Sequence, residues 1–239
     1  MKKFCIVFII ILFFISHFKT NSITKEKEIF KSRYGIRIGT GYSMNHTTEK
    51  NYSGYTRLSL GLLYHAKYLD IDLYCVTPES KATLFSSLVN IKPFLHLGFG
   101  VGYLYTTDDL AYKKKNRSYQ EYYKGKYHAL LGGINYRSLH NLKISLYTGI
   151  TLTGNITYLD TNKSWYKYEI DNFYKFPPTA IILSIEYYIN DNLSIMLSYQ
   201  RNGGQGKIKE QQDINTLAEN NKWMDTKIIT FSMGYNLTH

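Results

Sequence analysis

The sequence of 239 residues has only two cysteines and four prolines, and it lacks a second long apolar run and a linker rich in proline or serine. Cys5 lies in the N-terminal apolar run, so removal of that run leaves Cys75 alone and excludes an intramolecular disulfide. Without a linker or a solenoid-type repeat, we expect one domain. Acidic residues are also scarce, 18 against 29 lysines and arginines, and the formal net charge of +11 favours anionic partners.

The N-terminus carries the one long apolar run. Two lysines precede the uncharged segment 4–15, an order typical of a secretory signal peptide. A transmembrane helix needs roughly 20 apolar residues, and polar residues from Ser16 onward end this run too early. We therefore predict a signal peptide over residues 1–22, cut at some point between Ser16 and Lys25, and one domain over residues 23–239.

The segment 93–105, PFLHLGFGVGYLY, is the most informative part of the sequence. Successive side chains of a strand point to opposite faces, so this segment has one continuous apolar and aromatic face and a second face that is mostly glycine. A half-buried soluble strand would instead place polar groups in water. The pattern indicates a strand of a closed barrel in a membrane, with a narrow interior on the glycine side.

Period-two runs elsewhere extend this prediction to about ten strands. The predicted strands are 34–42, 58–64, 69–75, 83–90, 93–105, 128–136, 142–150, 181–189, 193–199 and 229–237. The run 83–90 is weak, and the barrel has eight strands if that run is irregular.

The connections alternate between tight turns and long loops. The turns lie at 65–67, 90–93, 138–141 and 190–192, and the loops at 44–53, 77–82, 106–125, 154–178 and 202–226. The pattern predicts an all-β fold: an antiparallel up-and-down transmembrane β-barrel with short periplasmic turns and long extracellular loops. The 24 tyrosines fit this prediction, because tyrosine favours the membrane interface.

Three segments carry a resemblance to a known family: PFLHLGFGVGYLY, KYHALLGGINYRSLHNLKISLYTGI and IITFSMGYNL. They resemble the small bacterial outer membrane protein β-barrel domains of the OmpA-like and opacity-protein-like type. The resemblance covers most of the chain after the apolar run, and it is specific for architecture and not for activity. It implies residence in the bacterial outer membrane and assembly by the outer-membrane insertion machinery.

Charged residues occupy the presumed inward faces of the strands, where desolvated charges must pair. We expect an interior ion-pair network that closes the lumen, formed by Arg37, Arg57, Asp70, Asp72, Arg137, Lys143 and Glu186. The alternative is a narrow conduction path through the barrel.

A catalytic site has little support in the sequence. Asp70 and Asp72 with a nearby histidine resemble the acid and histidine pair of an outer-membrane protease, but no matching His-x-Asp follows later. His96 and His128 fall on opposite strand faces, which disfavours a metal site. The glycines at 98, 100 and 102 lack the helix that a phosphate loop needs. We predict no enzyme, no catalytic residue and no cofactor, with an outer-membrane hydrolase as the least favoured alternative.

The predicted loops hold the remaining functional potential. Basic and aromatic residues cluster there, and we single out Lys113, Lys114, Lys115, Arg117, Trp165, Tyr166 and Lys167. We expect them to contact outer-membrane lipids and lipopolysaccharide, or anionic glycans and a host surface. Export makes nucleic acid an unsuitable partner. The predicted function is a structural, surface-interaction or adhesin-like role, and a narrow porin-like channel is the main alternative.

Overall fold

The structure is a computed structural model, and it describes residues 33–47, 51–52, 56–77, 83–94, 96–113, 120–138, 141–159, 165–170, 179–211 and 221–238. The predicted signal peptide over 1–22 lies outside these residues. Among the residues that are described, no helix is long and apolar enough to cross a membrane.

The described chain consists of twelve strands. They are β1 (Arg33–Thr47), β2 (Asn51–Tyr52), β3 (Thr56–His65), β4 (Leu69–Thr77), β5 (Thr83–Ile91), β6 (Leu97–Lys113), β7 (Gln120–Arg137), β8 (Leu142–Leu159), β9 (Trp165–Ile170), β10 (Ala180–Tyr188), β11 (Leu193–Gln211) and β12 (Asn221–Thr238). Consecutive strands of the wall pair antiparallel, and β12 pairs with β1 to close the barrel. The prediction of an antiparallel barrel of about ten strands is confirmed, and the weak run 83–90 is the regular strand β5.

The short strands β9 and β10 share one position in the wall. Both pair antiparallel with β8 on one side and β11 on the other. Ile170 pairs with Gly154 of β8, and Ala180 pairs with Gly149 farther down the same strand. The two strands therefore form one wall position, and the wall has ten positions.

Several predicted boundaries are wrong at the end opposite the tight turns. Strands β6 and β7 continue into the predicted loop 106–125 and pair as far as Lys113 and Gln120. Strands β8, β11 and β12 likewise extend into the predicted loops 154–178 and 202–226. Beyond a membrane the outward face can be polar, and here the buried residues, such as Ile156 and Tyr158, face inward, so backbone pairing continues without the outward apolar face that marks a membrane strand in the sequence. At the other end, β6 begins at Leu97 instead of Pro93, because proline lacks the N–H that a ladder needs.

Exposed apolar side chains surround the barrel as a belt, and the sequence assigned them correctly to the outward faces. Ile36, Ile38, Leu62, Val101 and Phe231 are each about half exposed. Tyr34 and Tyr42 mark the two edges of the belt on β1, eight residues apart. Since barrel strands rise about 3.3 Å per residue and tilt by about 40°, this separation is roughly 20 Å, close to the ~25 Å apolar band of outer-membrane barrels.

The glycine face of β6 lines the lumen, as predicted, and it makes room for side chains of β5. A Cβ on Gly102 would lie 2.5 Å from Leu88 Cδ2, and one on Gly100 would collide with the Asn90 side-chain amide. The larger side chains of β5 therefore extend over these glycines and fill the narrow interior.

The lumen is filled in layers along the barrel axis. The charged residues lie nearest the short turns. Beyond them, eight strands contribute to one contiguous apolar cluster, formed by Tyr74, Val76, Leu84, Leu88, Leu104, Ala129, Leu131, Tyr147, Ala180, Ile182, Met196 and Ile228. Farther from the short turns lies a second cluster of Tyr127, Ile156, Tyr158, Tyr166, Tyr168 and Met224.

Candidate functional site

Arg37 lies at the centre of the charged layer of the lumen. Its Nη1 donates to Asp72 Oδ1 at 2.9 Å, and its Nε and Nη2 donate to the two carboxylate oxygens of Glu186 at 3.1 and 2.7 Å. The side chain is 3% exposed. This bidentate contact joins β1 to β10, and the third bond joins β1 to β4, so one guanidinium connects strands across the lumen.

Two glycines create the space that the Arg37 side chain occupies. Gly61 of β3 and Gly234 of β12 are its register partners on the two neighbouring strands. A Cβ on Gly61 would lie 3.3 Å from Arg37 Cβ, and one on Gly234 would lie 3.4 Å from Arg37 Cγ. The sequence pattern thus places an arginine between two positions without side chains, and its guanidinium can extend over them toward the carboxylates.

Asp70 and Asp72 connect Arg37 to two lysines. Lys143 Nζ lies 2.8 Å from Asp72 Oδ2, and Lys92 Nζ lies 2.6 Å from Asp70 Oδ1. Lys92 follows β5 in a turn and also donates to the backbone oxygen of Ala66. Burial lowers the pKa of the Lys92 ammonium, against the opposing attraction of the Asp70 carboxylate.

Neutral side chains complete the hydrogen bonding of the layer. Ser194 Oγ donates to Glu186 Oε1 at 2.8 Å, and the Tyr188 hydroxyl donates to Oε2 at 3.1 Å. His65 is 1% exposed, and its Nδ1 and Nε2 lie 3.1 and 3.5 Å from oxygens of Asp70 and Asp72. Neither ring nitrogen has hydrogen-bond geometry with a described partner.

Arg137 lies in the same layer but outside this set of ion pairs. Its guanidinium carbon is 4.9 Å from the centre of the Tyr188 ring, and that of Arg33 is 5.3 Å from the same ring. Arg33 pairs with Asp191 at 2.9 Å. The ion pairs among the described residues include no carboxylate for Arg137, and its buried Nε has no hydrogen-bond partner there.

The structure therefore brings together five of the seven residues that the sequence assigned to the interior: Arg37, Asp70, Asp72, Lys143 and Glu186. Arg137 is adjacent and pairs with no carboxylate among the described residues, and the side chain of Arg57 lies outside them. Sequence reasoning missed His65, Lys92, Arg33 and Tyr188, which lie at or just beyond strand ends. The inward alternation, continued to these positions, would have found them.

The apolar cluster lies between the charged layer and the far end of the barrel. A cavity of about 30 Å³ lies between Arg37, Lys143 and Glu186 on one side and Leu88, Ile182 and Met196 of the apolar cluster on the other. Such a volume holds about two water molecules. Beyond it the lumen contains the apolar and aromatic clusters, so the described side chains leave no wide path along the axis.

The other group of predicted site residues lies at the far rim, and part of that prediction is wrong. Lys113 ends β6, and Trp165, Tyr166 and Lys167 lie in β9 instead of a loop. Tyr166 is 4% exposed, because its inward position places it against Tyr158 at a ring distance of 6.1 Å. Lys114, Lys115 and Arg117 lie outside the described residues.

Outward-facing basic residues lie just above the belt at this rim. On β7, Lys126 and Lys124 lie on the same outward face as His128 but farther from the belt, and both are exposed. Across the barrel, Arg201 and Lys227 approach Asp225 at 2.9 and 3.6 Å. The described residues contain no group of histidine, cysteine and acidic side chains that could hold a metal ion.

Neither a protein-family model nor a curated protein sequence matches this chain. Solved structures do match. The outer membrane protease OmpT from Escherichia coli has a TM-score of 0.54 at 11% identity, covering 92% of this chain and 99% of that protein. The attachment invasion locus protein Ail of Yersinia pestis, solved with the heparin analogue sucrose octasulfate, has a TM-score of 0.41 at 10% identity, covering 87% and 100%. The outer membrane protein OprG from Pseudomonas aeruginosa has a TM-score of 0.38 at 14% identity, covering 88% and 98%.

The fold is that of an outer-membrane β-barrel. The closed antiparallel wall pairs its backbone N–H and C=O groups within the barrel. The apolar belt, with tyrosines at both of its edges, faces lipid. The bacterial outer membrane is therefore the location of this chain.

Proposed function

We propose that this protein is a non-enzymatic surface protein, whose long hairpins bind anionic glycans outside the cell while the barrel anchors them in the outer membrane. The observation that carries the proposal is the filled lumen together with a basic hairpin. Because the apolar cluster fills the lumen among the described residues, we assign the function to the surface outside the cell.

The hairpin of β6 and β7 is the strongest candidate for that surface. Between residues 105 and 127 the sequence has six basic residues and three acidic ones: Lys113, Lys114, Lys115, Arg117, Lys124 and Lys126 against Asp108, Asp109 and Glu121. Lys124 and Lys126 are exposed on the outward face. Sulfate and carboxylate groups of glycans suit such a cluster of cations.

A hydrolase is not favoured. The acid and histidine residues, Asp70, Asp72 and His65, lie beneath the apolar cluster at the short-turn end, and both carboxylates are already held in ion pairs. A substrate from outside the cell would have to cross that cluster to reach them. The likeness to the protease is one of fold.

Binding of the purified barrel to an immobilised sulfated polysaccharide tests the proposal. We expect the double variant Lys124→Gln/Lys126→Gln to bind several-fold more weakly and wild-type binding to fall as salt rises, because exposed charge interactions are screened. Lys67→Gln, an exposed lysine in a short periplasmic turn, is the control and should bind as wild type. Equal binding to an uncharged polysaccharide, or equal loss in Lys67→Gln, would contradict the proposal.

A further inference from the structure

The periplasmic mouth of the barrel contains more positive charge than the described residues neutralise. Five cationic side chains lie in the charged layer and its rim: Arg33, Arg37, Lys92, Arg137 and Lys143. Four carboxylates balance them: Asp70, Asp72, Glu186 and Asp191. Arg137 is the one of these five cations that pairs with none of the four carboxylates.

Burial makes this excess significant. Arg137 is 6% exposed and Arg33 is 4% exposed. A buried guanidinium without a carboxylate is costly, since its desolvation is not offset by an ion pair. Contact with the Tyr188 ring offsets part of this cost. The guanidiniums of Arg33 and Arg137 both contact this one ring, however, so two positive charges lie near each other.

Unpartnered hydrogen-bond donors lie beside these charges. The Nε atoms of Arg33 and Arg137 are buried without a partner among the described residues. Asn135, two residues from Arg137 on the same face of β7, also has an unpartnered Nδ2 and is 2% exposed. A Cβ on its strand neighbour Gly98 would collide with Asn135 Oδ1, so the Asn135 amide lies over Gly98, next to Lys92. Arg137 and Asn135 thus offer unpartnered donors from the same inward face of β7 and mark one position just inside the mouth.

We propose that this position is a binding site for a carboxylate that enters from the periplasm, held by the guanidinium of Arg137 with Asn135 and Arg33 as further donors. A carboxylate would supply the ion-pair partner that Arg137 lacks among the described residues, and its two oxygens match the planar fork of an arginine. A phospholipid phosphate does not fit, because Arg137 faces the lumen and lipid contacts only the outer wall. The ligand class is a small molecule or peptide end that bears a free carboxylate.

Calorimetric titration of the folded full-length mature protein in a zwitterionic detergent tests the site, with N-acetylalanine as probe. We expect saturable binding, no binding of the neutral N-acetylalanine amide, and at least tenfold weaker binding in Arg137→Gln. Arg137→Lys should bind with intermediate affinity, because it keeps the charge and loses the fork. Arg201→Gln, an arginine paired with Asp225 at the other rim, should bind as wild type.

Thermal unfolding gives a second measurement. Because Arg137 has no described acidic partner, Arg137→Gln should melt at the same temperature as wild type without ligand, or higher. N-acetylalanine should raise the melting temperature of wild type and leave that of Arg137→Gln unchanged.

The proposal would be overturned by absence of saturable binding in wild type, by unchanged affinity in Arg137→Gln, by tighter binding of inorganic phosphate than of N-acetylalanine, or by failure of Arg137→Gln to fold. Binding that arises only in a Glu26→Gln/Glu28→Gln variant would also overturn it, since the N-terminal carboxylates of this chain would then be the natural partners of Arg137.

Discussion

At the scale of single residues, the positions of the glycines determine the ion pairs of the interior as much as the positions of the charges do. Arg37 reaches both Asp72 and Glu186 because Gly61 and Gly234 flank it on the neighbouring strands. The sequence predicts that these charges face inward, since alternation alone gives the face. It does not predict which charges pair, because strands distant in sequence meet across the lumen only when the barrel closes.

Arg37→Ala should lower the free energy of unfolding by about 3–5 kcal/mol, because it leaves Glu186 and Asp72 buried without their shared partner. Urea unfolding of the barrel in lipid vesicles measures this change. Arg201→Ala is the matched control, since Arg201 is partly exposed and Lys227 Nζ still lies 3.6 Å from the buried Asp225 carboxylate after the change, so it should cost clearly less than Arg37→Ala. Equal losses in the two variants would mean that the lumen around Arg37 is solvated.

At the scale of strands, apolar alternation is informative only within the membrane. It predicts all ten wall positions, including the weak β5, and the outward face of each. It fails for the ends of β6, β7 and β8 above the belt, where the outward face is no longer apolar and buried residues such as Tyr127 and Ile156 face inward. It also fails for β9, because a strand of six residues contains too few alternations to be recognised in the sequence.

Val101→Arg should impair insertion of the barrel into membranes, because Val101 is 63% exposed between the two girdles. A lipid-facing arginine costs roughly 2–4 kcal/mol at the bilayer midplane and far less toward the interface. The folded fraction after dilution from urea into vesicles is the measurement. Asn155→Arg provides the control, since Asn155 is exposed on β8 beyond the belt, and it should insert as wild type. Equal insertion of both variants would place Val101 outside the lipid.

At the scale of the whole molecule, the side chains of the interior and of the far rim form a fixed order along the barrel axis. Charges lie at the short-turn end, an apolar cluster fills the middle, and tyrosines with flanking lysines lie at the end of the long hairpins. Such an arrangement separates the two rims chemically. The proposed glycan contacts and the proposed carboxylate site therefore act on opposite sides of a closed barrier.

Closure of the lumen is the central claim, and conductance in a planar lipid bilayer tests it most directly. Wild-type barrels should insert without single-channel steps, because Leu104, Leu131 and Tyr147 fill the interior between the rims. The triple variant Leu104→Gly/Leu131→Gly/Tyr147→Gly, if its folded state is verified by circular dichroism, should conduct and so shows that inserted barrels are detectable. Discrete conductance steps from the wild-type protein, at an amplitude similar to that of the triple variant, would contradict the claim.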